Sequence, residues 1–253
     1  MANATDGPRV VVFAGPSLEA EDRLLLPRAT FLPPAEQGSF VSAVTAFAPQ
    51  AIVLIDGSFG RVPAVRHKEI LWTLAQGIPV FGAGSMGALR AADLAGYGMV
   101  GFGLIYRWYR RVPLLDDDEV AVATTPPELG AEPLGEALVN IRLTLRRCER
   151  AGILASVTRK RLEAVAESIY FVDRSYERLL SEARETLPAE DHSALDLLAR
   201  ELPTHVVDQK RRDAVGLLRR LGTTPPTPMH AAPFILTEAW AYDLAEADEA
   251  ARA

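Results

Sequence analysis

The chain has 253 residues, 33 acidic and 27 basic side chains, a formal net charge of -6 and 49% hydrophobic residues. The acidic balance argues against a broad nucleic-acid footprint, and the single cysteine, Cys148, excludes a disulfide framework and a cysteine-built zinc site. No apolar run approaches the roughly 20 residues needed to span a bilayer, and residues 1–10 carry no basic stretch followed by an apolar one, so a cytoplasmic location is expected.

The expected elements alternate along the first half. Continuous apolar, β-branched runs at 10–15, 51–57 and 78–82 predict three strands. Continuous rather than alternating hydrophobicity is what strands buried on both faces of a parallel sheet require. The intervals between them leave room for crossover helices. Helices are expected over 40–47, closed by Pro49; over 63–76, with Pro63 near the start and Gly77 just past the end; and over 85–94, closed by Gly96.

The aromatic, glycine-rich stretch 98–109 gives no clear period. A fourth strand is expected over 119–124 and a break at 125–128. From 134 onward the pattern is helical, with segments over 134–151, 158–174, 176–186, 190–201, 206–221 and 234–248, and a turn at 222–228. The expected fold class is α/β, a short, largely parallel sheet with crossover helices followed by a helical C-terminal part. The expected division is a core of residues 1–130 and a helical region of 131–253 packing on it.

Ligands of open parallel sheets gather outside the carboxyl ends of the strands. Three small motifs stand there: Gly15-Pro16-Ser17, Asp56-Gly57-Ser58 and Gly82-Ala83-Gly84-Ser85-Met86-Gly87. The first reads either as a phosphate-cradling turn or as a strand-ending turn in which Ser17 caps the next helix. It lacks GxGxxG spacing, and the chain has no GxxxxGK[ST].

The third motif runs a strand into a serine among small residues and then into a helix. That is the logic of a nucleophile elbow, although Ala83 stands at the first glycine position of GxSxG. Its backbone N–H groups would suit an oxyanion hole. The plain alternative is a glycine-rich N-cap in which Ser85 bonds the third helical N–H.

The basic residues are 24 arginines and three lysines, Lys68, Lys160 and Lys210. Ala64, Lys68, Leu71 and Ala75 follow i, i+4, i+7, i+11 spacing, which places Lys68 on an otherwise apolar helix face. A lysine desolvated there can act as a general base, which a guanidinium cannot do. The alternative is a snorkelling side chain. His67 lies about 100° around the same helix. Asp116-Asp117-Asp118-Glu119 reads as a Mg²⁺-binding run or a solvated loop, and Arg107, Trp108, Tyr109, Arg110 and Arg111 as a patch for an acidic partner or an internal interface.

Together these residues resemble the TfuA-like family. The resemblance rests on Phe13-Ala14-Gly15-Pro16-Ser17-Leu18, on Leu54-Ile55-Asp56-Gly57 with His67-Lys68-Glu69-Ile70-Leu71, on the run from Phe81 through Ser85-Met86-Gly87-Ala88-Leu89-Arg90-Ala91-Ala92, and on Asp117-Asp118-Glu119-Val120-Ala121. It covers roughly residues 9–125. TfuA-like proteins accompany YcaO enzymes, which use ATP to activate a backbone amide for thioamidation of a peptide or protein substrate. They are understood to hydrolyse the C-terminal thiocarboxylate of a ubiquitin-like sulfur carrier.

The resemblance implies a serine–lysine pair, here Ser85 and Lys68. Gly84, Met86 and Gly87 would form the oxyanion turn, and Ser17, Asp56, His67 and Arg90 would support the site. It implies no metal and no cofactor of the protein's own, while the acidic balance and the lack of a long apolar run lead to an expectation of no nucleic-acid or membrane partner. Two other readings stand beside it: a non-catalytic adaptor that docks the YcaO enzyme and its peptide, and a nucleotide-binding enzyme using Gly15-Pro16-Ser17 with the acidic run.

Overall fold

Val10–Phe13 forms β1, with all four side chains buried. In the computed structural model, which describes residues 9–60, 62–112, 116–126, 129–227, 234, 235, 237, 240, 241 and 244, β1 pairs in parallel with β2 (Thr30–Leu32) on one side and with β3 (Ala51–Leu54) on the other. β4 (Val80–Gly82) and β5 (Val100–Gly101) continue the sheet, again in parallel. The strand order is β2-β1-β3-β4-β5. The helices between the strands are α1 (Ser39–Phe47), α2 (His67–Ala75) and α3 (Met86–Leu94), and α4 (Gly103–Arg111) follows β5.

The step from β1 to β2 crosses the sheet in one direction, and the three later steps cross it in the other. Right-handed crossovers therefore put α1, α2 and α3 on one face and the β1–β2 connection on the opposite face. The packing agrees. Val11, Phe13, Ile52, Leu54 and Val80 pack with Phe40, Ile70, Leu74 and Met86 of the three helices. The alternate residues Val10, Val12, Ala51, Val53 and Ile55 pack with Leu18, Leu25 and Leu26 of the β1–β2 connection.

That second face is closed by α9 (Gln209–Thr223), whose Ala214, Leu217, Leu218 and Leu221 join the same cluster. The central strands are thus buried on both faces, as their unbroken apolar runs require.

The contacts divide the chain into one compact unit of residues 1–114 and 210–253 and another of 115–209. The divisions fall at 114/115 and 209/210, whereas the sequence suggests one boundary at 130/131. The sheet needs a second cover, and residues 210–221 supply it. The second unit holds α5 (Leu138–Arg150), α6 (Ser156–Ser168), α7 (Tyr176–Thr186) and α8 (His192–His205). Their apolar stripes, Leu138, Ile141, Leu145 and Cys148 among them, share one core. Arg174, fully buried, donates to the carbonyls of Ala166 and Ile169 at the end of α6 and to Asp118. Ser175 accepts the Arg178 N–H and caps α7.

Several expectations change. Residues 119–124 are not a strand: Asp117–Glu119 is a 3₁₀ turn, and only Thr124 makes an isolated bridge, to Pro133. β2 and β5 have three and two residues, too few for a periodic signal. The stretch 98–109 holds β5 and most of α4. The helix expected from residue 63 begins at His67, four residues later. Residues 1–8, Pro127 and Glu128 of the expected break, Pro228 of the expected turn and most of the expected helix over 234–248 lie outside the described residues.

One anchor of α9 carries a pH dependence. Arg211 donates to Asp22 at 2.7 Å and pairs with Glu19. The Arg211 hydrogen bond, against the opposing effect of burial, holds the Asp22 carboxyl below the ordinary value of 3.8. A depressed carboxyl contributes stability above its unfolded pKa, and that share is lost as pH falls through the folded pKa. Thermal midpoints measured between about pH 6 and pH 2 should therefore fall less steeply for Asp22→Asn than for the wild type. The variant should begin lower at neutral pH. Parallel curves would remove the anchor.

Candidate functional site

The first two strand-end motifs meet directly. Asp56, at the end of β3, is 2% exposed. Its Oδ2 accepts the N–H groups of Gly15 and Ser17 at 2.8 and 3.0 Å, and its Oδ1 accepts the Ser17 hydroxyl at 2.6 Å. This is the switch point of the sheet, between β1 and β3, where a ligand crevice is expected. Here a buried carboxylate fills that position and ties the turn after β1. The Ser17 hydroxyl is bound to Asp56, so its place in the structure is the clamp on this turn.

The third motif is a strand–turn–helix. β4 ends at Gly82 and α3 begins at Met86, with Ser85 at the N-cap position. Gly84 adopts φ +76°, a left-handed conformation that favours glycine. The glycine is thus set by the backbone path of the turn.

The helix enters very close to the sheet. A Cβ on Gly87 would stand 1.8 Å from the Leu54 carbonyl oxygen, and one on Gly82 would stand 2.0 Å from the Gly87 oxygen. Gly57 leaves room for the Met86 side chain, which a Cβ there would meet at 2.7 Å. The three motifs therefore gather at one sheet edge, through Asp56 on one side of β3 and Met86 and Gly87 on the other.

Ser85 is 2% exposed, and its side chain makes no capping bond to α3. Its N–H donates to the Ala83 carbonyl at 2.9 Å, and the Gly87 N–H donates to Ile55 O at 3.1 Å. Gly87 was expected to offer its N–H to an oxyanion, and that donor is taken by the sheet. The N–H of Met86 belongs to the first helical residue and has no intrahelical acceptor.

Lys68 does not occupy the semi-buried position that its spacing suggested. It is exposed, and its Nζ donates to Thr237 Oγ1 at 2.9 Å. The helix buries Glu69, Ile70, Thr73 and Leu74 instead. Ala64 precedes the helix, so the stripe expected through Ala64, Lys68, Leu71 and Ala75 does not form.

His67 and Arg90 come together through Asp93. His67 Nε2 lies 2.8 Å from Asp93 Oδ2, while Arg90 donates to Val65 O and pairs with Asp93 at 3.6 Å. These contacts join the start of α2 to α3.

Glu69, to which no motif assigns a role, is 2% exposed. Its carboxylate accepts the N–H of Arg66 at 3.1 Å and that of Phe40 at 3.3 Å, so it ties α2 to α1. Burial pushes its carboxyl up, while the N–H groups of Gly38, Arg66 and Phe40 favour the ionised form. It borders a cavity of about 580 Å³ lined by Pro34, Gly38, Val41, Arg66 and Trp240, which Ser85 does not line.

The acidic run is engaged by arginines within the second unit: Asp118 with Arg174 at 2.8 Å, and Glu119 with Arg142 at 2.9 Å. Burial pushes the Glu119 carboxyl up, against the Arg142 hydrogen bond. Among the described residues no three His, Cys, Asp or Glu side chains form a group able to hold a metal. Arg107, Arg110 and Arg111 of α4 are exposed, while Tyr109 packs on the sheet core.

Residues 56–175 match the family model described as TfuA-like protein. This segment is TfuA-like. The TfuA-like segment spans just under half of the chain. It contains the His67-Lys68-Glu69, Ser85-Met86-Gly87 and Asp117-Asp118-Glu119 motifs, and it extends through α5 and α6. Phe13 to Leu18 precede it. No curated protein matches the chain. Among the described residues no helix is long and apolar enough to cross a membrane.

Proposed function

We propose that this TfuA-like protein is the partner of a YcaO enzyme in backbone thioamidation and that it hydrolyses the C-terminal thiocarboxylate of a ubiquitin-like sulfur carrier. The observation that carries the reading is Ser85. It stands where β4 turns into α3, within the TfuA-like segment, with a hydroxyl that does not serve as the helix cap. A serine at a strand–turn–helix junction supports the reading of a nucleophile at a helix N-terminus.

In the proposed reaction Ser85 Oγ attacks the thiocarboxylate carbon while its proton passes to a lysine amine. The resemblance to the family implies a lysine for that role. The Met86 N–H supports the oxygen of the tetrahedral adduct. The carbon–sulfur bond then breaks, the lysine returns the proton to sulfur, and hydrosulfide leaves. Water attacks the resulting ester and releases the carrier as a plain carboxylate, with one of the water's protons restored to Ser85 and the other released to solvent. The chemistry uses no metal or nucleotide of this chain. ATP is consumed by the YcaO partner, and the peptide or protein substrate is bound with it.

Incubating the purified protein with a thiocarboxylated ubiquitin-like carrier tests this. The expected result is stoichiometric sulfide and a carrier whose mass corresponds to the carboxylate. An intact cognate carrier overturns the hydrolase reading and leaves the adaptor reading in its place.

A further inference from the structure

We propose that Lys210, rather than Lys68, is the lysine that takes the proton from Ser85; the proposal rests on the hydrolase reading above. Of the three lysines, Lys160 lies in the second compact unit, and Lys68 and Lys210 lie in the unit that holds Ser85. Lys68 is exposed and bonded to Thr237. Lys210 is 5% exposed.

Its position is fixed by the turn itself. The carbonyl oxygen of Lys210 lies 3.0 Å from the point where a Cβ on Gly84 would stand, and the Ala214 Cβ lies 3.5 Å from that point. Gly84 immediately precedes Ser85. The first turn of α9 is therefore packed against the turn that presents the candidate nucleophile, and a four-carbon stem can carry an amine to the adjacent residue.

The placement is held from two sides. Asp213 accepts the N–H of Ile105 at 2.8 Å and so caps the start of α4. Gly216 leaves room for the Phe102 ring, which a Cβ there would meet at 2.7 Å. Lys210 also heads the buried stripe of α9, followed by Ala214, Leu217 and Leu221 at i+4, i+7 and i+11. Asp213, three residues on, is also buried, and the other buried residues of the helix are apolar. A lysine is rarely buried without a polar task, and beside a candidate nucleophile an amine can serve as its base.

The step is that of the hydrolase reading with the amine assigned. As the Ser85 Oγ–carbon bond forms, the hydroxyl proton moves to Lys210 Nζ. As the carbon–sulfur bond breaks, the same proton moves to sulfur, and hydrosulfide departs. The attacking water then gives its proton to Lys210 on the way back to Ser85 Oγ.

The test uses two readouts on the wild type, Lys210→Met, Lys210→Arg and Lys68→Met, each checked for folding by thermal denaturation. The first is carrier hydrolysis. The second is the rate at which a fluorophosphonate labels Ser85, located by mass spectrometry across pH, which reports the nucleophile without any carrier. Both Lys210 variants should lose about 100-fold or more in labelling and hydrolysis. The arginine variant should fail because a guanidinium keeps its proton. Lys68→Met should stay within about threefold of wild type in both readouts.

If Lys68→Met loses the activity and the Lys210 variants keep it, the assignment is overturned while the hydrolase reading stands. Labelling that depends on Lys210 beside an untouched carrier keeps the assignment and overturns the substrate. A Ser85 that labels equally in all four proteins overturns Lys210.

Discussion

Ser85→Ala should stop sulfide release from the thiocarboxylated carrier by about 10³-fold or more while leaving a folded protein. Deleting the nucleophile of a serine hydrolase removes the covalent route and leaves only the catalysis supplied by binding and the oxyanion donor. The fold should tolerate the change. An N-cap serine that loses its capping bond costs about 1 kcal/mol, and removing the single buried Ser85 hydroxyl should cost an amount of that order. The measurement is a single-turnover assay of carrier mass at saturating enzyme, with the denaturation midpoint determined on the same samples.

The stability arm is what gives this result its meaning. A dead and unfolded Ser85→Ala would say nothing of chemistry, whereas a dead variant with a near-native midpoint isolates the hydroxyl. A folded Ser85→Ala that still converts the carrier would exclude Ser85 as the nucleophile, and with it the reading of Met86 N–H as the oxyanion donor. Thioamidation supported by the same variant, in the presence of the YcaO partner, would place the protein among adaptors.

The sequence carried the sheet well because three of its strands are buried on both faces, and continuous apolar runs report that condition. β2 and β5 could not be read in the same way. They pair through only three and two residues at the edges of the sheet, and backbone pairing of that length leaves no hydrophobic period. Residues 119–124 misled for the reverse reason. Val120 and Ala121 are buried, but they follow a 3₁₀ turn held by arginine–carboxylate pairs, and burial without a neighbouring strand makes no sheet.

The site divides along the same line. The glycine-rich turn at 82–87 was legible because tight backbone approach leaves only glycine at its close contacts. The lysine was harder. The apolar-face argument applied to Lys68 depended on a helix starting at residue 63, and the true start at His67 brings Glu69 and Ile70 inward instead. The same argument fits Lys210, Ala214, Leu217 and Leu221 without any shift of register. What the sequence could not supply is the fact that α9 returns to the sheet, since that depends on the second face needing a cover, and no local pattern encodes it.

Gly87→Ala should destabilise the protein by about 3 kcal/mol or more, and should do so through the same contact that positions Ser85. In an open helix the change would run the other way, because alanine is favoured over glycine by about 1 kcal/mol. Here the new Cβ would stand 1.8 Å from the Leu54 oxygen and 2.6 Å from its carbon. Both atoms belong to the backbone of β3, paired on one side with β1 and on the other with β4, so neither can move aside as a side chain would.

To admit the methyl group, α3 must lift from the sheet. That breaks the Gly87 N–H bond to Ile55 O and withdraws Met86 from its seat over Gly57. The control is Gly96→Ala, where an added Cβ meets nothing within 4 Å and the midpoint should stay within about 0.5 kcal/mol of wild type. Urea denaturation of the three proteins decides the matter. A Gly87→Ala protein as stable as Gly96→Ala would show that α3 does not rest on β3 through this glycine, and the close seating that places Ser85 at the sheet edge would fall with it.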